Sequence, residues 1–297
     1  MKISYYTISG MNNLPRWRAY FELLRLHQPI GIFLLLWPVL WALWIAGAGA
    51  VDFKMLILFI IGVLLTRSLG CVMNDIADRN LDGFVTRTCH RPLVTGAVSL
   101  QEAVLLLIVL SALALLVVYQ LNRLTIELAL IAAGMIALYP FTKRYMAWPQ
   151  LFLGFVFGAW SILMAFSAET GKIPGIAWLL FLAAYGWCVA YDTIYAMVDR
   201  EDDRQVGIKS SAIALGRHDI VFIATLEFVF VLLLGIIGRC LKVHPIYYGM
   251  LSLIAGLFIY QHHLIKNRNP KACFQAFLNN AWIGGLVFLG FFFGIPS

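Results

Sequence analysis

Charge is what this chain has least of. Only 12% of its 297 residues are Asp, Glu, Lys or Arg, against about 25% in an ordinary soluble domain. That deficit excludes a soluble globular protein. Disorder is excluded by the opposite excess. Hydrophobic residues make up 62% of the chain and mean hydropathy is +0.85, whereas disordered chains are poor in apolar residues and rich in net charge. Cysteine is sparse too. Cys71, Cys89, Cys188, Cys240 and Cys273 show neither paired nor metal-ligand spacing, so they read as small hydrophobes rather than disulfides. No short apolar run with a small-residue cleavage site opens the chain, and the start is poor in Arg and Ser. Neither a cleavable signal nor a transit peptide is expected.

What is present is a series of apolar runs, each close to the ~20 residues that cross a bilayer. They fall at about 30–49, 54–73, 100–119, 124–141, 150–168, 174–194, 219–238, 245–262 and 273–295. The fold class expected is all-α: a polytopic membrane protein of about nine transmembrane helices. The net charge of +7 is then a topology signal. With the N-terminus inside, the outside connections hold only Lys54, Arg123, Lys172, Arg239 and Lys242 of the 22 basic residues. Positive charge collects on the cytoplasmic side, so the N-terminus is expected there. No nucleic-acid motif is seen, and nucleic acid is not an expected partner. Two cytoplasmic connections, 74–99 and 195–218, are long. Long connections in a compact fold are usually functional.

Each of these connections carries an acidic cluster. In the first, Asn74, Asp78 and Asp82 are spaced i, i+4, i+8, with Asp75 beside them and Arg67 seven residues earlier. In the second, Asp192, Tyr195, Asp199 and Asp203 are spaced i, i+3, i+7, i+11. On a helix each set shares one face. Stacked carboxylates repel, by ~0.2–0.5 kcal/mol per pair on a helix in water, and more near a bilayer. A compensating cation resolves this. Oxygen-only ligands favour a hard ion such as Mg²⁺, which takes one or two carboxylates and fills its shell with substrate phosphates. Arg67, Arg79, Arg87, Arg91, Lys143, Arg144 and Lys209 lie on the same side. Acidic clusters with converging cations describe a metal–diphosphate site. A solvated acidic loop is the plainer reading of any one cluster, and a topology marker that of any one Arg. Arg67 is the exception, because it lies inside an apolar run and needs a partner.

The clusters follow the second and sixth runs, and each is followed by a basic segment: Arg87-Thr88-Cys89-His90-Arg91-Pro92 and Gly207-Ile208-Lys209-Ser210. The chain is expected to be one transmembrane domain, 1–297, of two pseudo-repeat halves at about 20–145 and 146–297. The competing class is a secondary transporter, which also uses intramembrane charge and repeats. Transporter sites lie near the midplane, however, and these clusters lie at helix ends. Trp37, Trp41 and Trp44 read as a packing or anchoring stripe. Glu227, within the seventh run, reads as a buried or hydrogen-bonded carboxyl.

The pattern Asn-Asp-x-x-Asp-x-x-x-Asp at 74–82 resembles the first signature of the UbiA-type intramembrane prenyltransferases. Further segments resemble the branch of that family acting on 4-hydroxybenzoate: Pro29-Ile30-Gly31 with Leu34-Leu35-Leu36-Trp37-Pro38, Tyr139-Pro140-Phe141-Thr142-Lys143-Arg144-Tyr145, and Tyr191-Asp192-Thr193 through Lys209-Ser210. The resemblance implies helices around a central cavity open laterally to lipid. It implies Mg²⁺-dependent transfer of a polyprenyl group from polyprenyl diphosphate to the ring carbon ortho to the hydroxyl of 4-hydroxybenzoate. That is a step of ubiquinone biosynthesis at a bacterial inner membrane. By matched position it puts Mg²⁺ and diphosphate binding on Asn74, Asp78, Asp82, Asp199 and Asp203, with Asp75 and Asp192 in support. It puts diphosphate contacts or site closure on Arg67, Arg79, Arg87, Arg91, Tyr195 and Lys209. Arg144 is implied in activity, through the carboxylate of the aromatic acid. Transfer to another aromatic acceptor is the alternative within the family.

Overall fold

The computed structural model describes residues 15–84 and 88–296, and the side chains of Pro140, Phe141, Lys143 and Arg144 lie outside that description. The described residues are helical, with no strand among them. In chain order they form α1 (Arg16–Leu23), α2 (Ile30–Ala46), α3 (Phe53–Asp78), α4 (Pro92–Thr95), α5 (Leu100–Val118) and α6 (Arg123–Tyr145). There follow α7 (Pro149–Leu153), α8 (Trp160–Thr170), α9 (Gly175–Val198), α10 (Arg200–Val206), α11 (Ser211–Leu215), α12 (Asp219–Cys240), α13 (Ile246–Ile265) and α14 (Pro270–Gly294). A π-helical stretch, Gly154–Ala159, joins α7 to α8.

Every run expected to span falls on a helix. Six continuous helical segments are long and apolar enough to cross a membrane: 53–78, 100–118, 149–170, 175–198, 211–240 and 270–294. The shorter α2 is equally apolar. Hydrophobic residues on α5 and α6 face outward, with Leu105, Leu116 and Leu138 all about 60% exposed. Such a surface is stable only in lipid. The protein is a multi-pass membrane protein.

The helix ends are set locally. Asp52 caps α3 by accepting from the Lys54 and Met55 N–H groups. Ser99 and Glu102 form a reciprocal capping box at α5, satisfying donors that an unpaired helix start would leave bare. The helices then pack through close approach and single polar ties. α2 lies on α14 because Gly284 lets Trp37 in; a Cβ there would overlap the indole. Trp41 Nε1 donates to the Gly284 carbonyl at 2.9 Å, and Trp44 Nε1 to that of Phe291 at 3.2 Å. The tryptophan stripe is therefore packing. Trp187 joins it, 5.2 Å from Trp41 and 5.7 Å from Phe230 between ring centroids. Thr125 and Ser167 share a 2.6 Å hydrogen bond between α6 and α8. Glu227 is buried and faces His262 of α13 at 2.6 Å.

Two expectations about the connections are modified. α3 continues to Asp78 and α9 to Val198, so part of each expected loop is helix. Neither acidic set is one unbroken helical stripe. Asp82 lies in a separate 3₁₀ turn, Asp82–Phe84. Asp199 stands at a break between α9 and α10 with φ −95° and ψ 4°. Continuing either helix would have stacked more like charges along one face.

Candidate active site

The C-terminal ends of α3 and α9 flank one cavity of about 590 Å³. Asn74, Asp75, Asp78 and Asp82 line it from one side, and Asp192, Tyr195, Asp199 and Asp203 from the other. The two acidic clusters, over a hundred residues apart in the chain, meet across a shared hollow. Arg67, Arg91 and Lys209 also line it. Arg79 does not: it is exposed and donates to the Ile76 carbonyl of its own helix at 3.1 Å. Arg87 and the side chain of Arg144 lie outside the described residues.

The first cluster is organised by arginines. Asp75 is 1% exposed. It accepts from Arg25 Nη2 with both oxygens, each at 2.8 Å, and pairs with Arg91 Nη1 at 3.0 Å. Arg91 also reaches Asp82 at 2.6 Å. A buried carboxylate without such partners would be costly. Here one Asp gathers the end of α1, the end of α3 and the segment before α4. Arg25 reaches it from a left-handed backbone, φ 56°. Thr88 Oγ1 donates to the Asp82 carbonyl at 2.8 Å and holds the connecting turn.

The second cluster is held by its surroundings. Tyr195 lies on Phe277, with ring centroids 4.7 Å apart. The Gln150 amide oxygen accepts from the Ser211 N–H at 2.8 Å, tying α7 to α11 beneath Lys209. Lys209 Nζ donates to the Tyr145 carbonyl at 3.3 Å.

Arg67 stands apart from the other cations. Its Nε is buried with no hydrogen-bond partner, and it lies within Coulombic reach of Asp192, Tyr139 and Tyr191. Room for it comes from Gly31, where a Cβ would overlap the guanidinium. Oxygen donors suited to Mg²⁺ surround the same cavity. No three of the described His, Cys, Asp and Glu residues form a ready-made metal shell.

Arg25 and Gln150 escaped the reading of the sequence. Arg25 is one of several basic residues near the start of the chain, and its partner is 50 residues away. Gln150 bonds across 61 residues. No local pattern marks either one.

A second hollow, apolar and about 470 Å³, lies between α2, α3, α5, α6 and α8. Leu35 and Phe157 line both cavities, so the two adjoin.

An all-helical membrane protein with one acidic and basic cavity beside a greasy one is the class that the fold and the site define. Residues 35–294 match the model of the UbiA prenyltransferase family. The chain is 51% identical over 271 residues to a 4-hydroxybenzoate octaprenyltransferase of Coxiella burnetii, covering 91% of this chain and 94% of that one. It is 49% identical over 275 residues to the enzyme of that name from Tolumonas auensis, covering 93% and 96%. Among solved structures, a UbiA homolog from Aeropyrum pernix K1 superposes with TM-score 0.73 at 25% identity, over 93% of this chain and 98% of that one. A UbiA homolog from Archaeoglobus fulgidus bound to GPP and Mg²⁺ shares the fold, with TM-score 0.70 at 21% identity over 92% and 98%. The chain belongs to the UbiA prenyltransferase family.

Proposed function

We propose that this protein transfers a polyprenyl group from polyprenyl diphosphate to the ring carbon ortho to the hydroxyl of 4-hydroxybenzoate. The step belongs to ubiquinone biosynthesis, at the cytoplasmic face of a bacterial inner membrane. The observation that carries this reading is the meeting of both acidic clusters, Arg67 and Lys209 in one cavity that adjoins an apolar one. The names of the half-identical relatives supply the acceptor.

Asn74, Asp78 and Asp82 on one wall, and Asp199 and Asp203 on the other with Asp192 in support, would hold Mg²⁺. The ion, when bound, offsets the charge that develops on the departing diphosphate. Arg67 and Lys209 take phosphate oxygens as hydrogen-bonded cations, the geometry in which guanidinium and ammonium groups bind best. Arg91 joins them from its pairs with Asp75 and Asp82. Asp75, engaged by two arginines, supports the site as their counter-anion. Tyr195 and its phenylalanine neighbours close the wall against water, which would otherwise trap an allylic cation. The allylic C–O bond breaks with its electron pair leaving on the diphosphate. The electron-rich ring forms the new C–C bond and then loses its ortho proton to the departing diphosphate or a carboxylate of the cavity.

The isoprenoid tail occupies the apolar hollow. Each buried CH₂ contributes ~0.8 kcal/mol, which accounts for an enzyme built from membrane helices. In this reading Arg144 contributes to activity through the carboxylate of the acceptor.

The test is the mass of the product. Purified protein in detergent, given 4-hydroxybenzoate and prenyl diphosphates of several lengths, yields adducts heavier by each prenyl group, and chelation of divalent ions abolishes them. Asp78→Asn inserts normally and makes no adduct. Absence of any covalent product from the folded protein at saturating Mg²⁺ would favour the transporter class and sink the proposal.

A further inference from the structure

Asp219 opens α12 and is 0% exposed. Burying a carboxylate is costly unless it is paired and hydrogen-bonded. Both of its oxygens are occupied. Arg200 forms an ion pair with it. Arg268 donates from Nε to Oδ2 at 3.0 Å and from Nη2 to Oδ1 at 2.7 Å. The Ile220 N–H adds a bond of 2.7 Å. Arg268 holds a left-handed backbone, φ 53°, and also donates to the Arg217 carbonyl at 3.1 Å. One carboxylate thus joins the α9–α10 break, the start of α12 and the α13–α14 turn. It does not line the cavity.

The α9–α10 break is where this matters. Asp199 precedes Arg200 directly, and Asp203 follows one turn later, its N–H donating to the Asp199 carbonyl at 2.8 Å. α10 has seven residues and none of them is buried. A helix that short is not stable by itself, and this one has no buried face to orient it. At its far end Gly207 turns the chain with φ 80°, and the Ile208 N–H returns to the Asp203 carbonyl at 2.9 Å. At its near end Arg200 ties it into the protein body through the buried pair with Asp219.

We propose that Asp219 is a positioning residue: through Arg200 it aims Asp199 and Asp203 into the cavity. This inference rests on the diphosphate reading of the site.

The experiment uses the full chain in detergent with Asp219→Asn, Arg268→Gln and Asp199→Asn. Binding of inorganic pyrophosphate in the presence of Mg²⁺ is measured by calorimetry, and the KM of each substrate in the transfer assay. Asp219→Asn is expected to weaken pyrophosphate binding and raise the prenyl diphosphate KM about tenfold, the scale of one misplaced charge-assisted contact. The 4-hydroxybenzoate KM stays within about twofold. Should Asp219→Asn not fold, the partly exposed Arg268 decides through Arg268→Gln by the same measurements. A folded variant whose pyrophosphate affinity falls by less than about threefold overturns the inference, as does an equal rise in both KM values. Asp199→Asn separates the two levels. If it loses pyrophosphate binding while Asp219→Asn keeps it, positioning alone is wrong. If Asp199→Asn keeps it, the reading of the site fails and the inference with it.

Discussion

Arg67 is a guanidinium inside an apolar helix whose buried Nε has no hydrogen-bond partner within the protein. Such a group is expensive in a membrane, which makes it a candidate for function. Its counterpart is an absence: Gly31 has no side chain where the guanidinium lies. A methyl group there displaces a flexible side-chain end rather than backbone, so Gly31→Ala is expected to leave the melting midpoint in detergent nearly unchanged. It should lower kcat/KM by about tenfold to a hundredfold, the loss of a charge-assisted contact of ~1.5–3 kcal/mol. A wild-type kcat/KM in the folded variant would remove Arg67 from the site. The glycine was visible in the sequence as part of a segment resembling a family. Its physical reason was not, because the atom it makes room for comes from another helix, 36 positions along.

At the level of elements, the π-helical stretch between α7 and α8 packs against α9 through two glycines. A Cβ at Gly158 would overlap Cys188, and one at Gly154 would come 2.8 Å from Val189 Cγ2. Overpacking of this kind costs about 1–3 kcal/mol. Gly158→Ala should therefore lower the unfolding midpoint in micelles, while Gly256→Ala, with open space at its Cβ, should not. Equal midpoints for the two variants would show that this junction yields freely. The spans were legible because a bilayer imposes a length and an apolar composition that any sequence displays. The breaks after Asp78 and Val198 were not legible. Spacing alone extends a helical face through Asp82 and Asp203; the turn at Asp82 is fixed by Thr88 and Arg91, which bond back from elsewhere.

For the whole molecule, the proposed function divides a donor between the adjoining cavities, its diphosphate in the polar one and its tail in the apolar one. Gly62 lines the apolar cavity and faces open space. Gly62→Leu should shorten the tail that fits, with kcat/KM at least about tenfold lower for the longest prenyl donors and unchanged for the shortest, since each CH₂ excluded forfeits ~0.8 kcal/mol. A uniform fall across donor lengths would place the tail elsewhere.

The sequence by itself determined the medium, the helices and the chemical vocabulary. Those follow from composition, run length and residue type, which no partner can alter. Only the tertiary structure decided which charges meet. Asp75 with Arg25 and Arg91, Asp219 with Arg200 and Arg268, and the two acidic clusters across one hollow are all long-range pairings. Coulombic attraction and desolvation act through space, so a residue's chemical role depends on neighbours that chain order does not record.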